Sequence, residues 1–280
     1  MKNKIATLGP TGTFSDLAAR RYLRKSGEEA EITYYPSIKA VFAALGKECG
    51  SAIVPIENFS EGYIPLVLDN LINDNIFIKG DMLLPISFSY IGNVVAPDEI
   101  RRIFVQFVAE GQCAGFLEEL QQKTKSKIEI IETQSNIQSL QLLKGAEKGS
   151  GAIVPSSAIS ESGFAKVIEN INDYKDNATR FLILSPHEVK VSGGRTKSSL
   201  IVFDDDDKPG MLESVLSSFS KREINLTSIV SRPTKRTFGK YHFFIDLEGA
   251  INNKNICDAL KEITTHFRVR FLGSYNNWGE

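Results

Sequence analysis

The sequence predicts an α/β protein whose first domain consists of two similar lobes that face each other across a cleft. The length of 280 residues fits about two domains. The run Ala52-Ile53-Val54-Pro55 recurs as Ala152-Ile153-Val154-Pro155, and each copy follows a Gly/Ser turn and precedes a polar loop. A buried strand that ends in a polar loop marks the sheet edge where α/β proteins bind ligands. Beyond residue 197 the elements follow the order βαββαβ, which predicts a second, smaller domain.

The composition excludes several classes of protein. The chain carries 33 basic and 34 acidic residues, so its net charge of -1 favours neither nucleic acid nor a membrane surface as a partner. No apolar run approaches the ~20 residues of a membrane span, and the N-terminus lacks a signal-peptide pattern. Three scattered cysteines and three scattered histidines predict a cytoplasmic protein without a disulfide framework or a metal centre.

The N-terminal pattern is a strand at residues 5–8, a glycine-containing loop at residues 9–14 and a helix from about residue 16 to residue 25. Thr13 or Ser15 is expected to cap the helix. The hydroxyls of Thr11, Thr13 and Ser15, together with the helix N-terminus, predict a site for a carboxylate. A phosphate loop is excluded because its Gly-Lys-Ser/Thr ending is absent, and the dinucleotide fingerprint is absent as well.

A turn-forming segment at residues 171–178, rich in Asn and Asp, leads into an apolar strand predicted at residues 181–184. Thr179 and Arg180 stand where the segment enters the strand, a common position for ligand-binding residues, although an ordinary loop with a surface arginine is the alternative. Neighbouring strand residues point to opposite faces, so we expect only one of the two to line the cleft, and we favour Thr179.

Residues 191–197 read as a flexible polar linker. The pattern beyond it predicts a ferredoxin-like domain of four strands and two amphipathic helices. The predicted strands are residues 199–203, 224–231, 240–247 and 268–272, and the predicted helices are residues 211–222 and 251–264.

Five motifs, in this order and spacing, resemble those of the prephenate dehydratase family with a C-terminal ACT regulatory domain, and the resemblance covers nearly the whole chain. The motifs are Leu8 to Ser15, Val54 to Asn58 followed by Glu61-Gly62, Asn177 to Phe181, Gly210-Met211-Leu212, and Ile224 to Thr227 with Ser231-Arg232-Pro233. Each motif is modest by itself, and the five together form a specific signal.

The resemblance implies a periplasmic-binding-protein-like catalytic domain at residues 1–190 and an ACT domain at residues 197–275. The implied lobes are about residues 1–76 with 167–190, and residues 77–166. The implied activity is that of a lyase in phenylalanine biosynthesis, which converts prephenate to phenylpyruvate with loss of water and CO₂ and needs no cofactor or metal. The implied effector is L-phenylalanine, and the implied assembly is a homodimer or homotetramer.

Thr179 is the implied catalytic residue, as the group that protonates or orients the leaving hydroxyl. A free threonine hydroxyl is a poor acid, so it needs a polarising neighbour or a hydrogen bond that forms in the transition state. Glu57 is expected to organise its loop, since a free carboxylate would repel a dianionic substrate. The implied substrate-binding residues are Thr11, Thr13, Ser15, Glu57, Asn58, Asn136, Arg180 and Phe181, of which Phe181 is expected to pack in the core. The implied effector-binding residues are Gly210, Met211, Leu212, Asn225, Leu226, Ser231 and Arg232.

The chain departs from the family pattern at four places. Phe59 and Asn136 stand where the family has Ser and Thr, and residues 105–108 replace a Ser-His-Pro-Gln run. These changes bear on substrate contacts in the second lobe. Val230 replaces a Glu of the ACT domain, so phenylalanine feedback is expected to be weak, altered or absent. Three alternatives stay open: dehydration of arogenate, a ligand-binding protein whose catalysis has decayed, and decarboxylation without aromatisation.

Overall fold

The computed structural model describes residues 3–72, 75–191, 195–205, 209–235 and 237–278. In chain order, the strands are β1 Lys4–Leu8, β2 Glu31–Tyr35, β3 Ser51–Asn58, β4 Gly62–Tyr63, β5 Phe77–Pro85, β6 Phe88–Gly92, β7 Arg102–Gln106, β8 Glu129–Thr133, β9 Ser150–Pro155, β10 Lys166–Ile168, β11 Ala178–Ser185, β12 Thr196–Phe203, β13 Leu226–Pro233, β14 Tyr241–Glu248 and β15 Arg268–Asn277. The helices are α1 Phe14–Ser26, α2 Ile38–Ala44, α3 Pro65–Asn70, α4 Phe107–Gln112, α5 Ala114–Lys123, α6 Asn136–Lys144, α7 Ile159–Ser162, α8 Met211–Ser220 and α9 Lys254–His266. Within these ranges, no helix has both the length and the apolar character needed to cross a membrane.

The two lobes share one strand order, which confirms the two-lobed α/β fold that the internal repeat predicts. The first lobe has the order β2-β1-β3-β11-β5 and the second has the order β8-β7-β9-β6-β10. In each lobe the first three of these strands are parallel, and the fourth is antiparallel to the third. The two Ala-Ile-Val-Pro runs lie in β3 and β9, which occupy the same position in their sheets. Their polar ends therefore occur at equivalent edges of the two lobes.

The chain passes from the first lobe to the second between β5 and β6 and returns between β10 and β11. Strand β5 lies in the first sheet, where it pairs with β11, whereas β10 pairs with β6 in the second sheet. The first change of sheet therefore follows Pro85, later than the expected boundary after residue 76. The second change of sheet uses the turn-rich residues 169–177.

The C-terminal strands have the order β13-β14-β12-β15, and helices α8 and α9 complete the predicted ferredoxin-like arrangement. Strand β15 continues five residues beyond the predicted end at Leu272 and pairs in parallel with β5, at Asn276–Gly80 and Asn277–Asp81. This pairing joins the C-terminal sheet to the sheet of the first lobe. Residues 192–194 of the expected linker lie outside the described residues.

Apolar side chains from the first lobe and the C-terminal domain share one hydrophobic cluster. Val41 and Leu182 of the lobe are fully or almost fully buried in it, together with Ile201 and Phe244 of the C-terminal sheet. The C-terminal sheet is thus covered by α8 and α9 on one face and by the first lobe on the other. Burial of apolar surface on both faces holds the domain against the lobe.

Candidate active site

A cavity of about 550 Å³ lies between the two lobes. Its volume fits a small organic ligand. Leu8, Thr13 and Ser15 border it from the first lobe, and Gln106, Gln112 and Asn136 border it from the second. The remaining lining residues are Phe14, Pro55, Asn58, Glu61, Gly62, Tyr63, Ile64, Pro65, Ile86, Phe88, Val108, Thr179 and Phe181. Among these residues there is no Lys, Arg or His, so an anion in the described cavity must be held by hydroxyls, amides and backbone N–H groups.

Thr179 and Asn58 form the central polar pair of the cavity. Strand β11 begins at Ala178, so Thr179 lies inside the strand, earlier than the start predicted at residue 181. It stands directly opposite Asn58 on β3, which places both side chains on one face of the sheet. Asn58 Nδ2 donates a hydrogen bond to Thr179 Oγ1 over 2.8 Å, and the threonine is only 8% exposed.

The orientation of the Asn58 amide is determined by the backbone that follows it. Its Oδ1 accepts hydrogen bonds from the backbone N–H groups of Ser60, at 3.0 Å, and Glu61, at 3.2 Å. Oδ1 must therefore be the acceptor and Nδ2 the donor to Thr179. Because Thr179 Oγ1 accepts from Asn58, its own proton is left for an acceptor inside the cavity. A donor on Oγ1 also stabilises negative charge there and makes the hydroxyl a better acid.

Two further buried amides connect the pair to the second lobe. Asn177 Oδ1 accepts from Asn58 Nδ2 at 3.3 Å, and Asn177 Nδ2 donates to Gln112 Oε1 at 2.8 Å. Gln112 Nε2 in turn lies 3.5 Å from Asn58 Oδ1. We call Asn58, Asn177 and Gln112 the amide triad. Asn177 is 2% exposed and Gln112 is 4% exposed, so these bonds are protected from water.

Gln112 and Asn177 are functional candidates that were not among the site residues expected from the sequence. Asn177 belongs to the motif that contains Thr179, and Gln112 precedes the buried Cys113. The position of this amide only two residues before Thr179 is a sequence signal that could have indicated Asn177. Gln112 is 65 residues away from Asn177 along the chain, so its role depends on tertiary packing that brings α4 beside the segment preceding β11.

The N-terminus of α1 borders the cavity as predicted for a carboxylate site. Thr13 is the cap, and its Oγ1 accepts from the backbone N–H of Asp16 at 3.3 Å. Ser15, the other expected cap, lies inside the first turn and lines the cavity with Thr13 and Phe14. The helix dipole and the N–H groups of this turn favour an anion.

Thr11, which was expected to contact the substrate, lies outside the cavity lining. Its hydroxyl lies 3.2 Å from Asp16 Oδ2, which also accepts from the backbone N–H of Gly12 at 2.7 Å. Burial alone would raise the pKa of Asp16, but the Gly12 and Tyr34 hydrogen bonds and the charge of Arg20 lower the pKa below its ordinary value. Asp16 is therefore an anion that shapes the loop, and Thr11 is one of its donors.

The second lobe presents two amide side chains to the cavity. Asn136 is the first residue of α6, and its buried Oδ1 has no hydrogen-bond partner among the described residues. Gln106 caps α4 with its own Oε1, which accepts from the backbone N–H groups of Val108 and Ala109. Because Gln106 and Val108 line the cavity, the segment that departs from the family pattern changes this wall. Phe59, another departure, is exposed and packs against Tyr174 outside it.

Arg180 and Glu57, which were also expected to contact the substrate, lie outside the cavity lining. Arg180 points to the opposite face of β11 from Thr179. Its guanidinium binds Asp81 at 2.9 Å and Asp246 of the C-terminal domain at 2.7 Å. Glu57 is the strand neighbour of both Arg180 and Tyr63 and precedes Asn58, so it also points away. Phe181 lines the cavity and is 1% exposed in the core, where it was expected.

The seven expected effector residues lie in the C-terminal domain and differ in their exposure. Gly210 has a φ of 84° and precedes α8, and Met211 is buried beside a cavity of about 490 Å³ in the C-terminal domain. Asn225 and Ser231 are exposed, whereas Leu212 and Leu226 are partly buried. Arg232, which was expected at the effector site, binds Asp69 of α3 at 3.1 Å in a contact between domains.

Cys113 has no catalytic features. Its thiol is fully buried beside the amide triad, and burial raises its pKa to about 12. A thiol with this pKa carries almost no thiolate at neutral pH and is a poor nucleophile.

The chain matches two family models and resembles several known proteins along most of its length. Residues 5–189 match the model for prephenate dehydratase, and residues 199–264 match the model for the ACT domain. The prephenate dehydratase of Bacillus subtilis (strain 168) is 32% identical over 295 residues, which cover 98% of this chain and 99% of that protein. The crystal structure of the prephenate dehydratase from Staphylococcus aureus subsp. aureus Mu50 matches with a TM-score of 0.83 and 31% identity, over 98% of this chain and 100% of that chain. A prephenate dehydratase from Arthrobacter aurescens, solved in complex with L-Phe, matches with a TM-score of 0.80 and 28% identity, over 98% of this chain and 90% of that chain.

Proposed function

The chain belongs to the prephenate dehydratase family, and we propose that the cavity between its lobes carries the reaction with Thr179 as the catalytic residue. The chain is a lyase that converts prephenate to phenylpyruvate in phenylalanine biosynthesis, and it carries a C-terminal ACT domain. The observation that supports the role of Thr179 is its hydrogen bond from Asn58, which leaves its proton for a ligand in the cavity.

The reaction takes up one proton and moves one pair of electrons within the substrate. The electrons of the bond between ring carbon C1 and its carboxylate enter the ring, and the hydroxyl at C4 leaves. The products are CO₂, water and an aromatic ring. The Thr179 hydroxyl donates to the leaving oxygen, and this hydrogen bond strengthens as negative charge develops there. The proton that completes the water passes through this hydroxyl and is replaced from solvent.

Two helix N-termini are the proposed anchors for the two carboxylates. In the first lobe, Thr13, Ser15 and the first turn of α1 border the cavity. In the second lobe, Asn136 begins α6, and Ser135 caps that helix. Their positions on opposite lobes suit a substrate whose anionic groups are held at both sides, with Phe88 and Phe181 as apolar walls around the ring.

The deciding experiment is conversion of prephenate by the purified protein, followed by the ultraviolet absorbance of phenylpyruvate. Wild type should turn over, and Thr179→Ala should lose about 10²-fold or more in kcat, the size seen when an oriented donor is removed. Circular dichroism should show both proteins folded. The proposal fails if wild type leaves prephenate untouched, or if folded Thr179→Ala keeps the wild-type kcat.

Arogenate, the aminated analogue, is the second candidate substrate, and Glu61 is the observation in its favour. Glu61 supplies a carboxylate to the cavity lining, where an ammonium group would find a partner. Competition between prephenate and arogenate, measured for wild type and Glu61→Gln, separates the two. A loss of arogenate turnover alone in the variant would support its use as a substrate.

The sheet pairings support the proposed domain boundaries. We propose lobes at residues 1–85 with 178–190 and at residues 86–177, followed by the ACT domain at residues 197–275, extended by β15 to Asn277.

A cytoplasmic location is also proposed, since Cys49, Cys113 and Cys257 are free thiols. Fractionation of the source cells tests the location.

Phenylalanine is the proposed effector, and a homodimer or homotetramer the proposed assembly. The relative solved with L-Phe supports the effector, and the cavity beside Met211 and Ser214 offers a place for it. Val230 packs at the interface between domains and offers no carboxylate to an ammonium group, so we expect weak inhibition by phenylalanine.

The proposed assembly is supported by the outer position of β13 in the sheet, where exposed Ile229 suits pairing with a second copy. Turnover with and without phenylalanine, and light scattering, test these points.

A further inference from the structure

We propose that the C-terminal domain positions the Asn58–Thr179 pair through two contacts, one from Asp246 to Arg180 and one from Ser228 to Tyr63. We call these two contacts the interdomain clamp. The inference rests on the proposed catalytic role of Thr179. It assigns a positioning role to Arg180, Asp246 and Ser228, which lie outside the cavity lining.

Arg180 connects the strand of Thr179 to two strands of the C-terminal domain. Its Nη1 donates to Asp246 Oδ2 of β14 at 2.7 Å, and its Nη2 donates to Tyr275 Oη of β15 at 3.1 Å. Its Nε donates to Asp81 Oδ2 of β5 at 2.9 Å. The side chain is only 12% exposed. Three partners in three directions leave the planar guanidinium little freedom.

The partners of Arg180 are themselves held by the C-terminal domain. Ser199 of β12 donates to Asp246 Oδ1 at 2.5 Å and lies 2.6 Å from Tyr275 Oη. Lys197 binds Asp81 at 3.2 Å. Burial would lower the pKa of Arg180, but the nearby Asp246, Tyr275 and Asp81 raise it, so the guanidinium stays charged. If β14 shifts against the lobe, the Arg180 guanidinium therefore moves with it, because detaching this charged group would leave buried carboxylates unpaired.

Arg180 can transmit such a shift to the Asn58–Thr179 pair because the ladder between β3 and β11 is irregular beside it. In the pairing of β11 with β3, the register shifts between Arg180 and Phe181. Ile56 of β3 has no partner on β11 there, whereas β11 pairs with β5 without a shift from Ala178 to Ile183. A bulge re-aims the side chains next to it, so the guanidinium contacts, which hold Arg180 opposite Glu57, affect how Asn58 faces Thr179.

Tyr63 provides the second contact, on the side of Asn58. Its Oη lies 2.6 Å from Ser228 Oγ on β13 of the C-terminal domain. Tyr63 lies on β4, whose Gly62 pairs with Asn58 on β3. Residues 59–62 between these strands include the N–H groups of Ser60 and Glu61 that orient the Asn58 amide. The C-terminal domain therefore contacts each partner of the pair through a different strand.

The consequence is that changes in the C-terminal domain should alter kcat with little effect on KM. Asp246, Tyr275 and Ser228 do not line the cavity, so they make no contact with a ligand bound there. A loss of geometry at Thr179 affects the interaction made in the transition state, which lowers kcat and kcat/KM together.

The test uses the full-length protein and four single variants, each assayed for prephenate turnover and for folding by thermal denaturation. Asp246→Asn and Tyr275→Phe act on the Arg180 contact, and Ser228→Ala acts on the Tyr63 contact. The matched control is Asp69→Asn, which removes the charge of another contact between the domains, that of Asp69 with Arg232. For the first two variants we expect kcat to fall by about tenfold at unchanged KM. This is within the range of effects that mutations in coupled residue networks produce. Ser228→Ala should lower kcat in the same direction, and the control should keep the wild-type kcat.

A second arm separates positioning from general destabilisation. In an Asn58→Ala background the pair is already broken, so Asp246→Asn should lower the remaining kcat no further. Full additivity there would overturn the proposal, as would wild-type kcat in folded Asp246→Asn and Tyr275→Phe, or an equal loss in the Asp69→Asn control. Tyr275→Phe decides the matter if Asp246→Asn does not fold. A wild type that turns over prephenate, with Thr179→Ala inactive and the clamp variants unaffected, would leave the proposed function standing and the clamp refuted. A wild type without turnover would refute both.

Discussion

Asn58 Nδ2 donates to Thr179 Oγ1 over 2.8 Å, and the two residues face each other on adjacent antiparallel strands. The direction of this bond is set by the turn after β3, because the N–H groups of Ser60 and Glu61 occupy Asn58 Oδ1. A threonine hydroxyl is a weak acid in water. Here it is buried, accepts one hydrogen bond and keeps its proton for the cavity, which is the arrangement that a hydrogen-bond donor to a leaving hydroxyl requires.

Replacing Asn58 by Ala should lower kcat by about 10²-fold, because an oriented donor to the proposed catalytic hydroxyl of Thr179 is lost. Asn58→Asp should be at least as damaging, since a carboxylate would accept the Thr179 proton that the substrate needs. Steady-state kinetics with prephenate check both. Ser60→Ala is the matched control, because it removes one hydroxyl contact to Asn58 Oδ1 and retains the backbone N–H donors. Near-wild-type turnover by folded Asn58→Ala would contradict the assignment.

Gln112→Ala should affect both stability and activity. The change leaves the buried Asn177 Nδ2 without its acceptor, which costs about 1–3 kcal/mol in the free energy of unfolding. It also removes the link between the amide triad and the second lobe, so kcat should fall as well. Urea denaturation and turnover measure the two effects. The exposed Gln122 on α5 supplies the control, Gln122→Ala, for which neither quantity should change.

Asn136→Ala should raise KM by about tenfold and leave kcat nearly unchanged, as expected when a contact made equally in the ground and transition states is lost. The reason is that the Asn136 side chain contacts the cavity at the start of α6, whereas Thr179 lies on the other lobe. Asn136→Asp should raise KM further through repulsion of the anionic substrate. Exposed Gln134→Ala, two residues earlier, should leave KM as in wild type. A large fall in kcat with unchanged KM would argue for a catalytic role of Asn136.

Asp16→Asn should destabilise the protein at neutral pH by about 1–3 kcal/mol, since it weakens the buried hydrogen bonds with Gly12 and Tyr34. These bonds and Arg20 hold the folded-state pKa of Asp16 below the ordinary value of 3.8. A lowered folded-state pKa means that the stabilisation is present above the ordinary pKa and is lost as pH falls through the folded-state pKa.

The stability difference between wild type and Asp16→Asn should therefore shrink below pH 3.8. Denaturant unfolding at a series of pH values measures it. Asp98→Asn, at an exposed carboxylate, is the control and should show no comparable difference. A gap that stays constant as the acid limit is approached would mean that ionised Asp16 is not the source of the stability.

Much of the local structure could be predicted from residue patterns. Periodicity and turn residues predicted the strand before the Gly9 loop, the helix α1 and the βαββαβ order of the C-terminal domain. The recurrence of Ala-Ile-Val-Pro predicted two equivalent strands, and β3 and β9 occupy the same place in their sheets. Boundaries were less accurate where pairing extends a strand beyond its apolar residues, as at Ala178 in β11 and Asn277 in β15.

The sequence by itself determined the two-lobed α/β class, the family motifs and the choice of Thr179 over Arg180 as the residue that faces the cleft. The alternation of a strand requires that neighbours face opposite sides, and this rule holds whatever the strand packs against. It does not say what each side meets. Only the tertiary structure decided that Arg180 binds Asp246, 66 residues away along the chain, and that Gln112 reaches Asn177. Such contacts depend on how separate sheets and helices pack, which no local pattern encodes, and they connect Thr179 to both the second lobe and the C-terminal domain.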